Sequence, residues 1–407
     1  MLGGAEAEAP GARASGELAA VYGPLVDRAE AGHDLVLLVG GPALDEPWTR
    51  FCLQHADRIL AVTGGGMVPP TLGNYPELQG CDLVAYNAVP GGLDGWAAAL
   101  DPAGTHLIRD AEFGADIARM ARRLTGTSVG IVLSGGGARA FSHIGVLEEL
   151  TAAGVTIDRI AGVSMGAVIG ALFAMGRDAD EIDAICFEEW VRRRPLRDFT
   201  IPRHSLIRGE RFQSMLHRTF GTRLIEELPL SFMSCSTELR TRRLEIARYG
   251  PLWEAVGFSI NLPVLAPPQV RGSKLFIDGS LIDNLPVRAM ADTGEGPVIA
   301  VDVKAAPRKG GRSGLERARG RDGRPPLPPS LGETLTRLLL LGSEDTSQAA
   351  RRHADLVIKP RAEGVGLLGF DQLDIAREAG RAAAREALKR APAGLVAPSA
   401  LSARAAS

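Results

Sequence analysis

Cysteine is scarce: Cys52, Cys81, Cys186 and Cys235 are the four in 407 residues, far apart and never in a Cys-x-x-Cys pair. That spacing argues against a disulfide framework or a zinc module, and the four read as buried thiols in a reducing compartment. Net charge is nearly absent as well. Lys+Arg 46 against Asp+Glu 48 leaves -2, so no global field steers the chain toward nucleic acid. There is no bilayer-spanning run: the apolar uncharged stretch 160–176 is shorter than the ~20 residues required and is broken by Gly162, Gly166, Gly170 and Gly176. The N-terminus lacks the basic-then-apolar pattern of a secretory signal, and Leu2 stands where N-myristoylation needs glycine. These absences lead to a cytoplasmic expectation, with membrane contact restricted to a peripheral one at the inner face.

What is present is enough apolar material for a large core, 45% hydrophobic, arranged as alternating strands and helices. Residues 1–30, rich in Ala, Gly and Glu, read as a flexible segment. An accessory α/β region follows over 31–115, with short strands at 34–41, 58–66, 81–86 and 105–110. A larger α/β series occupies 125–360, with apolar strands at 128–135, 157–164, 230–239, 274–279, 298–303 and 354–360. Strands alternating with helices predict a mostly parallel sheet. Within that series, 305–330 is basic and Gly/Pro-rich and reads as a disordered insertion, a solvated linker whose Arg and Lys are also candidates for lipid headgroups. The stretch 331–342 has amphipathic helical spacing, 361–392 reads as a helical segment, and 393–407 as a disordered tail.

Two turns carry the chemistry. "GVSMG" at 162–166 fits G-x-S-x-G between an apolar strand and a helix, the setting of a nucleophile elbow with Ser164 at its tip. "SGGGARAF" at 134–141 follows the preceding strand, and Gly135, Gly136 and Gly137 can turn their N–H groups into an anion-binding nest at a helix start. As a dinucleotide site the loop needs a carboxylate at the end of the next strand, and Ser164 occupies that place. A right-handed crossover brings both turns to one sheet edge, which favours an oxyanion hole over a phosphate cradle. Arg139 would add positive charge there. A non-catalytic nucleotide- or phosphate-binding regulatory module stands as the rival reading.

Serine needs a base. "FIDGS" at 276–280 ends a strand on Asp278, where a carboxylate at the same edge should sit. Of the seven histidines, His33, His55 and His106 lie in the accessory region, and His143 follows the glycine loop; His204 and His217 precede Asp278. His353 alone completes the order Ser, Asp, His of α/β-hydrolases, but it stands before a strand and so at the wrong edge of a parallel sheet. The spacing favours a Ser–Asp dyad.

Together "GGGARA", "GVSMG" and "DGS" resemble the patatin-like phospholipase family. The resemblance implies a three-layer α/β sandwich, a Ser164–Asp278 dyad, and an oxyanion hole from Gly135, Gly136 and Gly137 with Arg139 closing the motif. It implies hydrolysis of lysophospholipids or phospholipids, with a lipid as the partner, no metal and no cofactor. "SINLPVLAPP" at 259–268 is similar to the family's Ser-x-x-x-Pro block and "DNLPV" at 283–287 to the segment after the aspartate; Ser280 replaces the commoner glycine. The accessory region with "SLIRGERF" and "FGTRLIEELPL" resembles the neuropathy target esterase branch, whose cyclic-nucleotide-binding domains are not recognisable in these residues.

Overall fold

Alternation of apolar strands with helices resolves, in the computed structural model, into two compact units, Met1–Arg109 and Asp110–Ser407. The structure describes residues 2–3, 15–201, 205–303, 350–392 and 394–395. The expected insertion at 305–330 and helix at 331–342 therefore lie outside the described residues, as does nearly all of the expected tail.

In the first unit, strand β1 (Leu2–Gly3) pairs with β2 (Leu38–Val39), and helix α1 (Ser15–Glu30) precedes β2. Half of the stretch expected to be flexible is thus helical: Leu18, Tyr22 and Val26 of α1 are buried. Their partners are Trp48 and Phe51 of α2 (Pro47–His55), with the Tyr22 and Trp48 rings edge-on at 5.1 Å. Strands β3 (Leu60–Thr63), β4 (Asp82–Tyr86) and β5 (Gly104–Ile108), with α3 (Trp96–Leu100) before β5, form a parallel three-stranded sheet.

The second unit opens with α4 (Phe113–Leu124), which spans the gap expected between the two regions. Arg122 of α4 binds both carboxylate oxygens of buried Asp158, at 2.8 and 2.7 Å, and Arg123 binds Glu295 at 2.6 Å. Then come β6 (Val129–Leu133), α5 (Ser142–Ala152), β7 (Ile157–Val163), α6 (Met165–Ala174), α7 (Ala179–Cys186) and α8 (Glu210–Phe220). After them follow β8 (Ser231–Glu238), β9 (Arg243–Ala247), α9 (Leu252–Ser259), β10 (Gln269–Arg271) and β11 (Lys274–Asp278). The series closes with α10 (Val287–Ala291), β12 (Val298–Val301), β13 (Leu356–Ile358) and α11 (Leu373–Leu388).

One eight-stranded sheet runs β10-β11-β8-β7-β6-β12-β13, with β9 also on β8. From β8 to β13 every neighbouring pair is parallel, and β9, β10 and β11 join antiparallel. Alternate side chains leave the strands on opposite faces: Ile131 and Leu133 enter the larger core with α5, α6 and α8, while Val132 enters the smaller one with Met290 of α10. The result is the expected helix–sheet–helix sandwich.

Helix α11 crosses α5 where neither has a side chain to spare. A Cβ on Gly145 would strike the Arg377 carbonyl, and one on Gly380 the Ser142 carbonyl, both backbone atoms that cannot rotate away. Arg377 and Arg381 clamp the crossing by sharing Glu148, at 3.0 and 2.8 Å. Gly380→Val should accordingly destabilise the second unit by ~1–3 kcal/mol through forced separation of the helices, read as a lower denaturation midpoint. An unchanged midpoint would contradict this packing.

Candidate active site

Strand β8 organises the site. Along one edge it pairs with β9, over Ser234 to Glu238. Along the other it pairs first with β7, in register Gly162↔Ser234 and Val163↔Cys235, and then with β11, in register Asp278↔Ser236 and Phe276↔Glu238. Strands β7 and β11 therefore run toward each other on one edge and meet at the boundary of Cys235 and Ser236. Ser164 follows the last residue of β7, and Asp278 is the last of β11. Their side chains meet: Ser164 Oγ donates to Asp278 Oδ2 at 2.6 Å. The aspartate thus arrives on an antiparallel strand, where the sequence suggested a strand end sharing one rim with the parallel set.

Ser164 has φ 53 and ψ -130, a left-handed conformation disfavoured for a residue with a Cβ and imposed by the tight strand-to-helix turn. The turn closes because its flanking residues lack side chains. A Cβ on Gly162 would lie 2.5 Å from Ala167 Cα, and one on Gly166 would strike the Leu133 carbonyl. The Ser164 amide donates to Ser259 Oγ at 2.9 Å, and that hydroxyl donates onward to the Cys235 carbonyl at 2.6 Å. Ser164 is 7% exposed and Asp278 fully buried. Ser280 N donates to Asp278 Oδ1 at 2.9 Å, which fixes the carboxylate plane. Burial raises the Asp278 carboxyl above its ordinary value, and the hydrogen bonds from Ser164 and Ser280 oppose this without cancelling it.

The glycine loop leaves β6 beside this pair. Asn284 Nδ2 donates to the Gly135 carbonyl at 3.2 Å, and a Cβ on Gly135 would sit 3.0 Å from Ser164 Cβ. Gly137 has φ 56, and the Leu367 carbonyl lies where its Cβ would be. That same carbonyl accepts from the Ala138 amide at 2.8 Å, while among the described residues the amides of Gly135, Gly136 and Gly137 have no acceptor. Arg139 Nε donates to the Val365 carbonyl at 2.8 Å. The apolar stretch 364–370 therefore lies over the glycine loop; Val365 is buried, and Phe370 stacks on Trp190 at 4.8 Å.

The histidines fall elsewhere. His143 is fully buried, and desolvation pushes its ring down to about 4, so the neutral ring donates from Nε2 to the Ser134 carbonyl at 2.8 Å. His217 packs on Trp253 with ring centres 4.1 Å apart. His353 ends a short turn ahead of β13, which runs parallel to β12 and β6, so it sits at the edge opposite Ser164. His204 lies outside the described residues. All four cysteines are buried and free. Two residues in contact with the site were legible only as members of quoted segments, Ser259 in "SINLPVLAPP" and Asn284 in "DNLPV". The Leu367 carbonyl gave no sequence signal, because a backbone contact 230 positions from Gly137 leaves no residue-type signature.

The family described as "Patatin-like phospholipase" matches residues 131–291, the stretch that holds the glycine loop, Ser164 and Asp278. An uncharacterized NTE family protein of Mycobacterium tuberculosis is 36% identical over 388 residues, covering 92% of this chain and 65% of that protein. The chain belongs to the patatin-like phospholipase family, in its NTE-like branch. Patatin-like phospholipase domain-containing protein 6 of Homo sapiens is 32% identical over 317 residues, 67% of this chain and 23% of that protein. Lysophospholipase NTE1 of Coccidioides immitis is 35% identical over 291 residues, 68% of this chain and 18% of that protein. This patatin-like chain thus spans about two thirds of the length of its mycobacterial relative and much less of the other two.

The Asp278 carboxyl generates a stability prediction. Its folded value lies above the unfolded one, so its contribution is fully present below the unfolded value and is lost as pH rises through the folded value. A neutral amide escapes that loss. Asp278→Asn should therefore gain in melting temperature relative to the parent as pH rises from about 4 to 7. A difference that shrinks over this range would show that the buried carboxylate costs the fold nothing.

Proposed function

We propose that this patatin-like chain is a serine carboxylic-ester hydrolase acting on lysophospholipids or phospholipids, with Ser164 as nucleophile and Asp278 as base. The observation that carries the reading is the 2.6 Å hydrogen bond from Ser164 Oγ to Asp278 Oδ2 at a strained turn. Asp278 takes the serine proton as Oγ attacks the ester carbonyl. The free amides of Gly135, Gly136 and Gly137 receive the oxyanion, each such donor being worth ~3–4 kcal/mol to the transition state. Collapse expels the alcohol, which takes the proton back from Asp278 and leaves an acyl-serine. Water then attacks the acyl carbonyl, gives its proton to Asp278, and the fatty acid departs as Ser164 is regenerated. Arg139, held by the Val365 carbonyl, is assigned a positioning role for the loop.

The raised carboxyl value suits this role, because a base that resists ionisation accepts a proton more readily once ionised. The lipid class is supported by the family and by the relative named lysophospholipase. Peripheral attachment at the inner face of a membrane belongs to the same proposal; among the described residues no helix is long and apolar enough to cross a membrane. The dyad needs neither metal nor cofactor.

Ser164→Ala and Asp278→Asn should each lower kcat for a lysophospholipid by at least ~1,000-fold, with His353→Ala within about 3-fold of the parent. Turnover should rise with pH along a limb centred above the ordinary carboxylate value, since Asp278 must be ionised to act. A fluorophosphonate probe should label the parent and spare Ser164→Ala. An unlabelled parent that binds nucleotide would instead identify a regulatory module, and loss of activity in a folded His353→Ala would overturn the dyad.

A further inference from the structure

Between α7 and α8 the chain forms a small ribbon that the proposed chemistry does not use. Segments 198–201 and 205–208 lie antiparallel: Phe199 pairs with Ile207, Thr200 N donates to the Leu206 carbonyl at 3.0 Å, and Arg208 N donates to the Asp198 carbonyl at 2.9 Å. On the other side of 205–208, Leu206 N donates to the Val264 carbonyl at 2.8 Å and Ile207 N to the Leu265 carbonyl at 3.0 Å. The ribbon is tied to the site through that third segment. Asn261 Nδ2 donates to the Pro267 carbonyl at 2.9 Å, and the Asn261 carbonyl accepts from the Asp278 amide at 3.0 Å.

The ribbon exposes what a folded chain normally covers. Ile201 is 83% exposed, Phe199 68% and Val264 44%. Val264 also has φ 69, a conformation costly for a β-branched residue. Beside these apolar groups stand Arg197, Arg208 and Arg211, all exposed and in no ion pair with any described residue. Arg192 and Arg193 nearby are, by contrast, neutralised by Glu188 at 2.9 and 3.0 Å. With the whole chain at -2, attraction to an anionic surface must come from such a local cluster.

We propose that this ribbon docks on an anionic lipid bilayer, with Phe199, Ile201 and Val264 entering the acyl boundary while Arg197, Arg208 and Arg211 meet the phosphates. Apolar tips flanked by unneutralised guanidinium groups fit that interface, where each cation near the surface contributes about a 5-fold gain in affinity. Three apolar side chains are too few for a stable protein interface, which buries ~1,200–2,000 Å². Docked in this way, the ribbon would hold at the membrane the segment 261–265, whose Asn261 carbonyl accepts from the Asp278 amide.

The test is sedimentation of the full chain, carrying Ser164→Ala so that vesicles are not consumed. Mixed phosphatidylcholine and phosphatidylglycerol vesicles are compared with pure phosphatidylcholine. The parent should prefer the anionic vesicles, Phe199→Ser with Ile201→Ser should weaken that binding at least ~10-fold, and Arg197→Gln with Arg208→Gln and Arg211→Gln should abolish the preference. With Ser164 restored, both combinations should hydrolyse a soluble nitrophenyl ester at the parent rate, which shows that they fold. Equal vesicle binding by parent and variants, no vesicle binding at all, or ribbon-dependent capture of a protein in place of vesicles would overturn the proposal. Because binding is read without the nucleophile, a chain that docks but never turns over ester would sink the catalytic reading alone.

Discussion

Strand β8 imposes the constraint on which the site depends. It offers one edge to two strands that approach from opposite ends of the sheet, and the meeting point on that edge brings Ser164 against Asp278 although 114 positions separate them. Backbone pairing sets this placement to within one residue. A slip of either strand would turn its last side chain to the other face of the sheet. The contact is then stiffened from behind: Ser259 joins the Ser164 amide to the Cys235 carbonyl on β8, and Thr237 Oγ1 donates to the Asp278 carbonyl at 3.0 Å. Serine and aspartate are thus held by the strand they share more than by each other.

Small residues make the arrangement sterically feasible. Gly162 and Gly166 let α6 start against β6 and β7, Gly135 leaves room for Ser164, and Gly145 with Gly380 lets two helices touch backbone to backbone. Each is a place where a methyl group would push on main-chain or nucleophile atoms. Gly135, Gly162 and Gly166 place such contacts at the site itself, where exact spacing matters to proton transfer and oxyanion binding.

Much of this was legible in the residues. The alternation of strands and helices predicted an α/β sandwich, and the glycine run, G-x-S-x-G and Asp-Gly turn marked Gly135, Gly136, Gly137, Ser164 and Asp278 because turn chemistry is local and leaves a signature. His353 was correctly separated from Ser164 by strand polarity alone. The direction of β11 was not legible, since a short apolar run reads the same whether it pairs parallel or antiparallel. Strand β9 is half-buried and carries charge, so it gave no run to detect. Arg139 was expected to close the oxyanion motif, and its Nε also ties the loop to Val365, a partner that only the folded chain brings near.

The Leu367 carbonyl beneath Gly137 has a consequence for where this enzyme-like unit ends. The match to the patatin-like phospholipase family description stops at residue 291, yet the glycine loop is roofed by residues 365–367, and the helix after them clasps α5. A fragment cut at the limit of likeness would keep every motif and lose the ceiling over them. The motifs mark where bonds would be made and broken, but residues 365–388, beyond them in the chain, serve as a wall of the same room.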